Sequence, residues 1–339
     1  MNTRRSRKKL IKDIKAPKLT QVEIKTAKRF YKKRGYKLQN TYFHRYYKAM
    51  TGEFHADYIP LDIFRPYICP EINSKKQWPA LIDKNFTYTI FKDFKQPEYI
   101  IQNINGFYSA NSKIITEEKA IELCNAANKK LLIKPTIDSG RGKDIIIFTV
   151  NDNLTSLKQT YLKDLFRRYN KDFIVQYVLE QSDIINQLNP SSLNTIRVVT
   201  YLKDNTVYVL SSALRIGGPG NETDNFSGDN GAMFCGIKDN GALKSYGINR
   251  QGKKLPSTAS GVTLAETQLP NYALVTKMVK EMHPIVPYFK LISWDIAIDK
   301  ENDPVLIEYN TYGQGLEIQI PNGPLFGEFT DEILALGRK

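Results

Sequence analysis

From the N-terminal side, the alternation of apolar and polar positions first reads as helix. Thr20-Gln21-Val22-Glu23-Ile24-Lys25 puts an N-cap residue, Thr20, three positions before Glu23, which completes a capping box, and the helix is predicted to end near Gly35. Residues 40–72 mix Tyr, Phe and His with Pro60, Pro66 and Pro70, too broken for one long helix but apolar enough to pack on a neighbour. Beyond Trp78 short apolar runs alternate with helical stretches. Residues 99–103 read as a strand, 116–128 as a helix capped by Thr116, and 130–134 with 144–150 as a hairpin closed by the Gly-containing turn 138–143. Residues 154–169 read as a helix and 173–179 as a buried strand. Residues 195–203 and 206–215 form a second hairpin across Lys203-Asp204-Asn205. A polar loop with five glycines between Gly217 and Gly231 follows, then a hairpin over 232–246 across Asp239-Asn240-Gly241 and a helix over 271–283. The strands 291–299 and 305–310 are joined at Lys300-Glu301-Asn302-Asp303. The pattern predicts an α+β architecture with mostly antiparallel sheet and helices on one side, not a doubly wound parallel sheet.

At 339 residues, 41% hydrophobic and 25% charged, the chain has the material for roughly two ordinary domain cores. No apolar run approaches the roughly 18 to 20 residues that cross a bilayer, and the basic start Arg4-Arg5-Ser6-Arg7-Lys8-Lys9 leads into no apolar signal region. Cys69, Cys124 and Cys235 are odd in number and far apart, which gives neither a disulfide framework nor a metal knuckle, so a reducing cytoplasm is expected. Charge changes the picture more. Of the formal +14, residues 1–50 hold 17 Lys/Arg against Asp13 and Glu23, whereas the rest holds 32 basic against 33 acidic residues. Such a segment suits nucleic acid, anionic phospholipid at a membrane face, or an acidic or pyrophosphate-linked substrate, or it is a solvated arm without a partner. Residues 1–75 are read as a basic helical extension, in which His44 and His55 have no carboxylate or Cys at ligand spacing and are not expected to bind metal.

Three elements carry candidate chemistry. If the last turn is 300–303, Asp295 lies opposite Glu308, with Asn310 two residues further on the same face of two otherwise apolar strands. Opposed carboxylates require a shared proton or a cation, and two carboxylates with an amide oxygen suit Mg²⁺; the alternative is a solvated outer face. Second, Lys134 ends an apolar strand before Pro135-Thr136-Ile137-Asp138-Ser139-Gly140-Arg141-Gly142-Lys143, a turn able to cradle phosphate or to be only a turn. It is not a P-loop, because Lys143 is followed by Asp144 and the turn joins two strands. Third, Arg197 and Arg215 lie on neighbouring strands among Val, Ile and Leu, and need anionic partners, either structural carboxylates or a phosphoryl group.

In order, these features resemble the ATP-grasp superfamily, and most closely the sugar-transfer-associated ATP-grasp proteins encoded with bacterial surface-polysaccharide genes. The likeness covers roughly residues 80–325 and is carried by Asp83-Lys84, Ile133-Lys134-Pro135, Ser192-Leu193-Asn194-Thr195-Ile196-Arg197, Asp224-Asn225-Phe226, Trp294-Asp295 and Ile307-Glu308-Tyr309-Asn310. It implies an ATP-grasp fold, two α+β lobes that clamp ATP: an N-terminal lobe over 76–180 with the phosphate-covering hairpin and a C-terminal lobe over 181–339 with the Mg²⁺-binding hairpin. By motif position it implies that Lys84 and Lys134 contact the phosphates and adenine side, that Ser139, Gly140 and Gly142 cover the triphosphate, and that Gln176, Tyr177 and Val178 line the adenine. Glu180 takes the ribose, Asp295, Glu308 and Asn310 hold Mg²⁺, and Arg197 and Arg215 face the γ-phosphate and an acyl phosphate. Asn225 is a nucleotide, metal or acceptor contact, or a turn former.

The implied reaction is a carboxylate–amine ligation through an acyl phosphate, with a capsule or O-antigen glycan, or its lipid-linked precursor, as acceptor. The N-terminal arm fits a peripheral contact with anionic lipid at the inner membrane face. Two other readings stay open: a phosphotransferase on the same scaffold, and a nucleic-acid-binding protein acting through the arm. The second is disfavoured because residues 51–339 carry no excess positive charge.

Overall fold

The computed structural model describes residues 11–137, 139–140, 142–224, 226 and 231–338, so Asp138, Arg141, Asn225 and the basic stretch 1–10 lie outside the described residues. The chain divides into two compact units, one of residues 79–180 with 305–308, the other of residues up to 78 with 181–304 and 309–339.

The first unit is built on a six-stranded sheet. Its strands are β1 (Tyr99–Ile104), β2 (Phe107–Ala110), β3 (Lys113–Ile115), β4 (Leu131–Pro135), β5 (Ile146–Phe148) and β8 (Phe173–Tyr177), in the order β3-β2-β1-β8-β4-β5. All its pairings are antiparallel, with Leu131 opposite Phe148 and Ile133 opposite Ile146 in the expected hairpin. The helices Glu117–Asn125, capped by the Thr116 hydroxyl, and Leu162–Tyr169 bury Ala120, Cys124, Leu162, Leu165 and Phe166 against Ile101, Leu131, Phe173 and Val175. Each large apolar side chain so buried contributes about 1.5–3 kcal/mol.

One expected element is corrected here. Residues 154–169 are not one helix: β7 (Leu154–Thr155) pairs with β6 (Val150–Asn151), and the helix starts only at Leu162. The Thr155 N–H and hydroxyl both donate to Thr160 O, at 2.8 and 2.9 Å, so short hydroxyl side chains satisfy the backbone locally and stop a helix from starting there. The β1–β2 hairpin went unread, although Asn105-Gly106, at φ +50° and +92°, is a strong two-residue turn signal.

The other sheet has seven strands, β9 (Thr195–Lys203), β10 (Thr206–Ile216), β11 (Met233–Ile237), β12 (Leu243–Asn249), β13 (Lys254–Leu255), β14 (Leu291–Ile298) and β15 (Pro304–Asn310), and belongs to the second unit except for residues 305–308 of β15. The order is β13-β12-β11-β10-β9-β14-β15, which with the six-stranded sheet gives one mostly antiparallel sheet for each of the two lobes that the resemblance implied. Helix α1 (Gln21–Lys33) has the expected capping box: Thr20 Oγ1 accepts from Glu23 N–H at 3.2 Å and Glu23 Oε2 accepts from Thr20 N–H at 2.8 Å. Its Ala27 and Tyr31 share one core with Ile59, Phe64 and Ile68 and with Val199, Tyr201 and Leu291 of the sheet. The segment read as an extension is thus part of this unit's core. His44 is a fully buried core residue with Nε2 3.1 Å from Ala56 O. Among the described residues no group of three or more His, Cys, Asp or Glu could hold a metal ion, and no helix is long and apolar enough to cross a membrane.

Candidate functional site

In the unit of residues 79–180 and 305–308, the candidate residues gather around Lys134. Asp83 caps the helix Lys84–Ile90 by accepting from Asn85 N–H at 2.9 Å, and Lys84 N–H donates to Thr136 O at 3.2 Å, which ties the helix start to the end of β4. Asn85 Nδ2 completes the joint, donating to Asn103 O at 3.1 Å and Thr136 Oγ1 at 3.0 Å. Lys84 thereby stands in the first turn of a helix, where the backbone dipole disfavours a cation. Its Nζ donates to Ser139 Oγ at 2.9 Å and Ser139 O at 3.3 Å, and lies 3.7 Å from Glu308 Oε2.

Lys134 is buried, 9% exposed, and among the described residues no hydrogen bond or ion pair holds its Nζ. Burial first, and then the Lys84 cation, lower its pKa from 10.5 to about 8, with Glu308 pulling the other way. A buried ammonium kept beside a second cation, with no carboxylate bonded to it among the described residues, is costly unless an anion neutralises it. Ser139 Oγ donates to Pro135 O at 2.9 Å, and Gly142 has φ +68°, in the turn that follows. Gln176 is buried with its Nε2 donating to Tyr88 OH, while the N–H groups of Tyr177 and Val178 donate to Glu98 O at 2.9 Å and Lys130 O at 3.1 Å. Glu180 is exposed at the end of this run.

In the other unit, the strand register brings both arginines onto Asp295. Asp295 lies opposite Arg197 across β14 and β9, and Arg215 lies opposite Thr195 across β10 and β9. Arg197 Nε donates to Asp295 Oδ1 at 2.8 Å and Nη2 to Oδ2 at 2.6 Å, while Arg215 Nη1 reaches Oδ2 at 3.2 Å. Arg215 Nη2 also pairs with Asp224 Oδ1 at 3.0 Å, and Asp224 Oδ2 accepts from the Thr195 N–H at 3.2 Å and from its hydroxyl. Burial pushes the Asp224 carboxyl up against the pull of Arg215. Arg215 Nε is buried with no acceptor among the described residues.

Asp224 is the residue the sequence reading missed as a site residue. Two half-buried strand arginines call for two carboxylates, and the polar loop leaving β10 directly after Arg215 was the place to look for the second. The start of that loop is held by the motif before Arg197: Asn194 Oδ1 accepts from Gly217 N–H at 3.1 Å and Ser192 Oγ at 2.9 Å, and Asn189 Nδ2 donates to Ser192 Oγ at 2.8 Å and Gly218 O at 3.2 Å.

For Mg²⁺, the donor chemistry of Asp295, Glu308 and Asn310 is that of hard oxygens. Asp295, however, gives its two oxygens to three guanidinium N–H groups, out of about four lone-pair positions. As it stands, Asp295 fits the arginines, and a cation would have to share it with them.

The chain belongs to the sugar-transfer associated ATP-grasp family, whose sequence profile matches residues 64–332. No curated protein matches it. Among solved structures it is similar to the L-amino acid ligase from Bacillus licheniformis, at 13% identity and TM-score 0.41 over 76% of this chain and 48% of that one. It is similar also to the D-alanyl-alanine synthetase A from Vibrio cholerae O1 biovar eltor str. N16961, at 12% and 0.42 over 76% and 65%. A third is the ATP-grasp ligase PsnB complexed with minimal precursor, Mg and ADP, at 12% and 0.43 over 79% and 62%. The chain spans about half to two thirds of the length of these proteins.

Proposed function

We propose that the protein is an ATP- and Mg²⁺-dependent carboxylate–amine ligase that attaches an amino acid or similar group to a bacterial surface polysaccharide or its lipid-linked precursor, acting in the cytoplasm at the inner membrane face. The observation that carries the nucleotide half of this reading is Lys134, a buried ammonium next to Lys84 with no bonded carboxylate of its own. The ligation half and the glycan acceptor rest on the family.

In this reading Lys84 and Lys134 hold ATP phosphates, with Ser139, Gly140 and Gly142 in the turn over them. Gln176, Tyr177, Val178 and Glu180 take the adenosine, and Asn225 is an additional contact. A substrate carboxylate oxygen bonds to the γ-phosphorus as the bond to the ADP oxygen breaks, giving an acyl phosphate. An amine nitrogen then bonds to the acyl carbon, phosphate leaves, and the nitrogen gives up a proton. Charge builds on the transferred phosphoryl and then on the departing phosphate, and in this reading Arg197 and Arg215 are the cations that neutralise it. Mg²⁺, when bound, supplies neutralisation of the β- and γ-phosphate charge, with Glu308 and Asn310 as its oxygen donors and Asp295 shared with the arginines.

The test is calorimetric titration of a non-hydrolysable ATP analogue with and without Mg²⁺, on the wild type and on folded Lys134→Ala and Glu308→Ala variants, followed by hydroxylamine trapping with candidate carboxylates. Mg²⁺-dependent binding weakened by both substitutions, with hydroxamate formed at the expense of ATP, supports the ligase. A phosphorylated product that forms without any amine would point to a kinase, and absence of nucleotide binding would overturn both.

A further inference from the structure

The outer face of α1 carries Lys25, Lys28, Arg29, Lys32 and Lys33, all exposed, and among the described residues none of the five is in an ion pair. They fall at steps of three and four residues, so they form a single stripe about 12 Å long on the helix surface. This stripe is costly to the helix that bears it. Lys25 and Arg29, Lys28 and Lys32, and Arg29 and Lys33 are like-charge pairs four residues apart, which oppose helix formation. Lys32 and Lys33 are compensated by the negative end of the helix dipole, but Lys25, Lys28 and Arg29 lie too far from that end to be.

The nearby acids are already used. Glu23 serves the capping box and pairs with Lys48 Nζ at 2.5 Å, and Asp331 pairs with Arg34 Nε at 2.5 Å, where the guanidinium also stacks 3.7 Å above the Phe30 ring. These contacts, with Ala27 and Tyr31 in the core, hold α1 on its unit and leave the stripe outward, without a paired carboxylate among the described residues.

The geometry points to α1 as a docking surface for an anionic phospholipid bilayer. A line of fixed cations on one flat side complements a plane of lipid phosphates. The exposed apolar side chain beside it is Val22, 72% exposed, a size suited to the headgroup layer, and the helix's aromatic residues, Phe30 and Tyr31, are turned to the protein, so nothing on this face offers the stacking platform that single-stranded nucleic acid uses. The inference rests on the membrane-face part of the proposed function and assigns it to α1, while the ligase chemistry can fail without it.

The test is cosedimentation of the full-length protein with vesicles of phosphatidylcholine alone and of phosphatidylcholine and phosphatidylglycerol in equal parts, using the wild type and the triple variant Lys25→Gln, Lys28→Gln, Arg29→Gln. The expected result is binding to the anionic vesicles only, falling steeply with added salt, and on the order of a hundredfold weaker in the variant. The same three positions changed to Arg or Lys should retain it. A thermal transition unchanged or raised in the triple variant, as relief of the like-charge pairs predicts, shows that the loss is not unfolding. No binding of the wild type to phosphatidylglycerol vesicles, equal binding by the variant, or tighter binding of RNA or DNA through the same three side chains would each overturn the proposal.

Discussion

Arg197 and Asp295 face each other across adjacent antiparallel strands, and the guanidinium meets the carboxylate with two parallel bonds of 2.8 and 2.6 Å. The Asp295 side chain is 3% exposed, so its charge is viable only because Arg197 and Arg215 are there, and theirs only because of Asp295 and Asp224. Asp295→Asn keeps the shape but leaves two cations facing one carboxylate. We expect a loss of about 3 kcal/mol in denaturant unfolding at an unchanged m-value. A loss under about 1 kcal/mol would mean that Asp295 is not what fixes the arginines.

Lys134 has the opposite sign. Its pKa falls from 10.5 to about 8 on folding, so below pH 8 the folded state keeps a cation that the unfolded state holds more cheaply. The group therefore opposes folding at neutral pH, and its contribution improves as pH rises from 8 to 10.5. Lys134→Met should leave the nucleotide-free protein as stable as the wild type or more stable, by on the order of 1–3 kcal/mol, while removing ATP binding. Thermal unfolding with and without nucleotide reads both effects. A destabilised Lys134→Met protein would show Lys134 to be a packing residue instead.

The contrast between these two residues shows how far the sequence could be read. Lys134, Arg197, Arg215 and Asp295 were visible because each is a charge set in an apolar strand or at a marked turn, and such charges need a reason, whereas Lys84 came only from the family resemblance. The pairing among them was not visible. Asp295 could be set opposite Glu308 by counting back from a turn, but its partnership with Arg197 depends on β14 lying beside β9, although β10 to β13 intervene in the chain between Lys203 and Leu291, which no local pattern encodes. Asp224 was hidden for the same reason, its role resting on a buried amide network that reads in sequence only as Asn and Ser. Strands with clear alternation and hairpins with short turns were legible, and the run 154–169 misled because its apolar spacing suited a helix while Thr155 and Thr160 favoured a turn.

Gly217 tests that amide network directly. A Cβ there would lie 2.3 Å from Ser192 Oγ, 2.8 Å from Ser192 Cβ and 2.9 Å from Thr223 O, and the last of these is backbone one residue before Asp224. Gly217→Ala should cost about 2 kcal/mol or more and loosen the Asp224–Arg215 pair. Gly140→Ala is the control: a Cβ there meets nothing within 4 Å, and the change should stay within about 0.5 kcal/mol. Equal midpoints for the two variants in urea would show that Ser192 and Asn194 do not hold the loop.

Acid should unfold the protein from an unusually high pH, through two buried histidines. His44 and His283 each have a pKa lowered from 6.5 to about 4, in both cases mainly by burial. His283 is held neutral by its core partners, with Nδ1 2.6 Å from Thr200 Oγ1 and Nε2 2.8 Å from Phe289 O, while Thr200 Oγ1 accepts from Trp294 Nε1 at 2.8 Å. Because that hydroxyl accepts from the indole, its own proton goes to Nδ1, and Nε2 carries the proton donated to Phe289 O. Between pH 6.5 and 4 the unfolded chain therefore binds up to two more protons than the folded one, so stability is full above 6.5 and declines as pH falls, by about 3 kcal/mol per histidine once pH is below 4. Carboxylates such as Glu23 and Glu332, lowered first by hydrogen bonds from Lys48 and Lys203, lose their contribution only at lower pH. Urea midpoints measured from pH 7.5 to 4.5 should fall already between 6.5 and 5.5, and a flat profile above pH 5 would show that neither ring is held neutral by the fold.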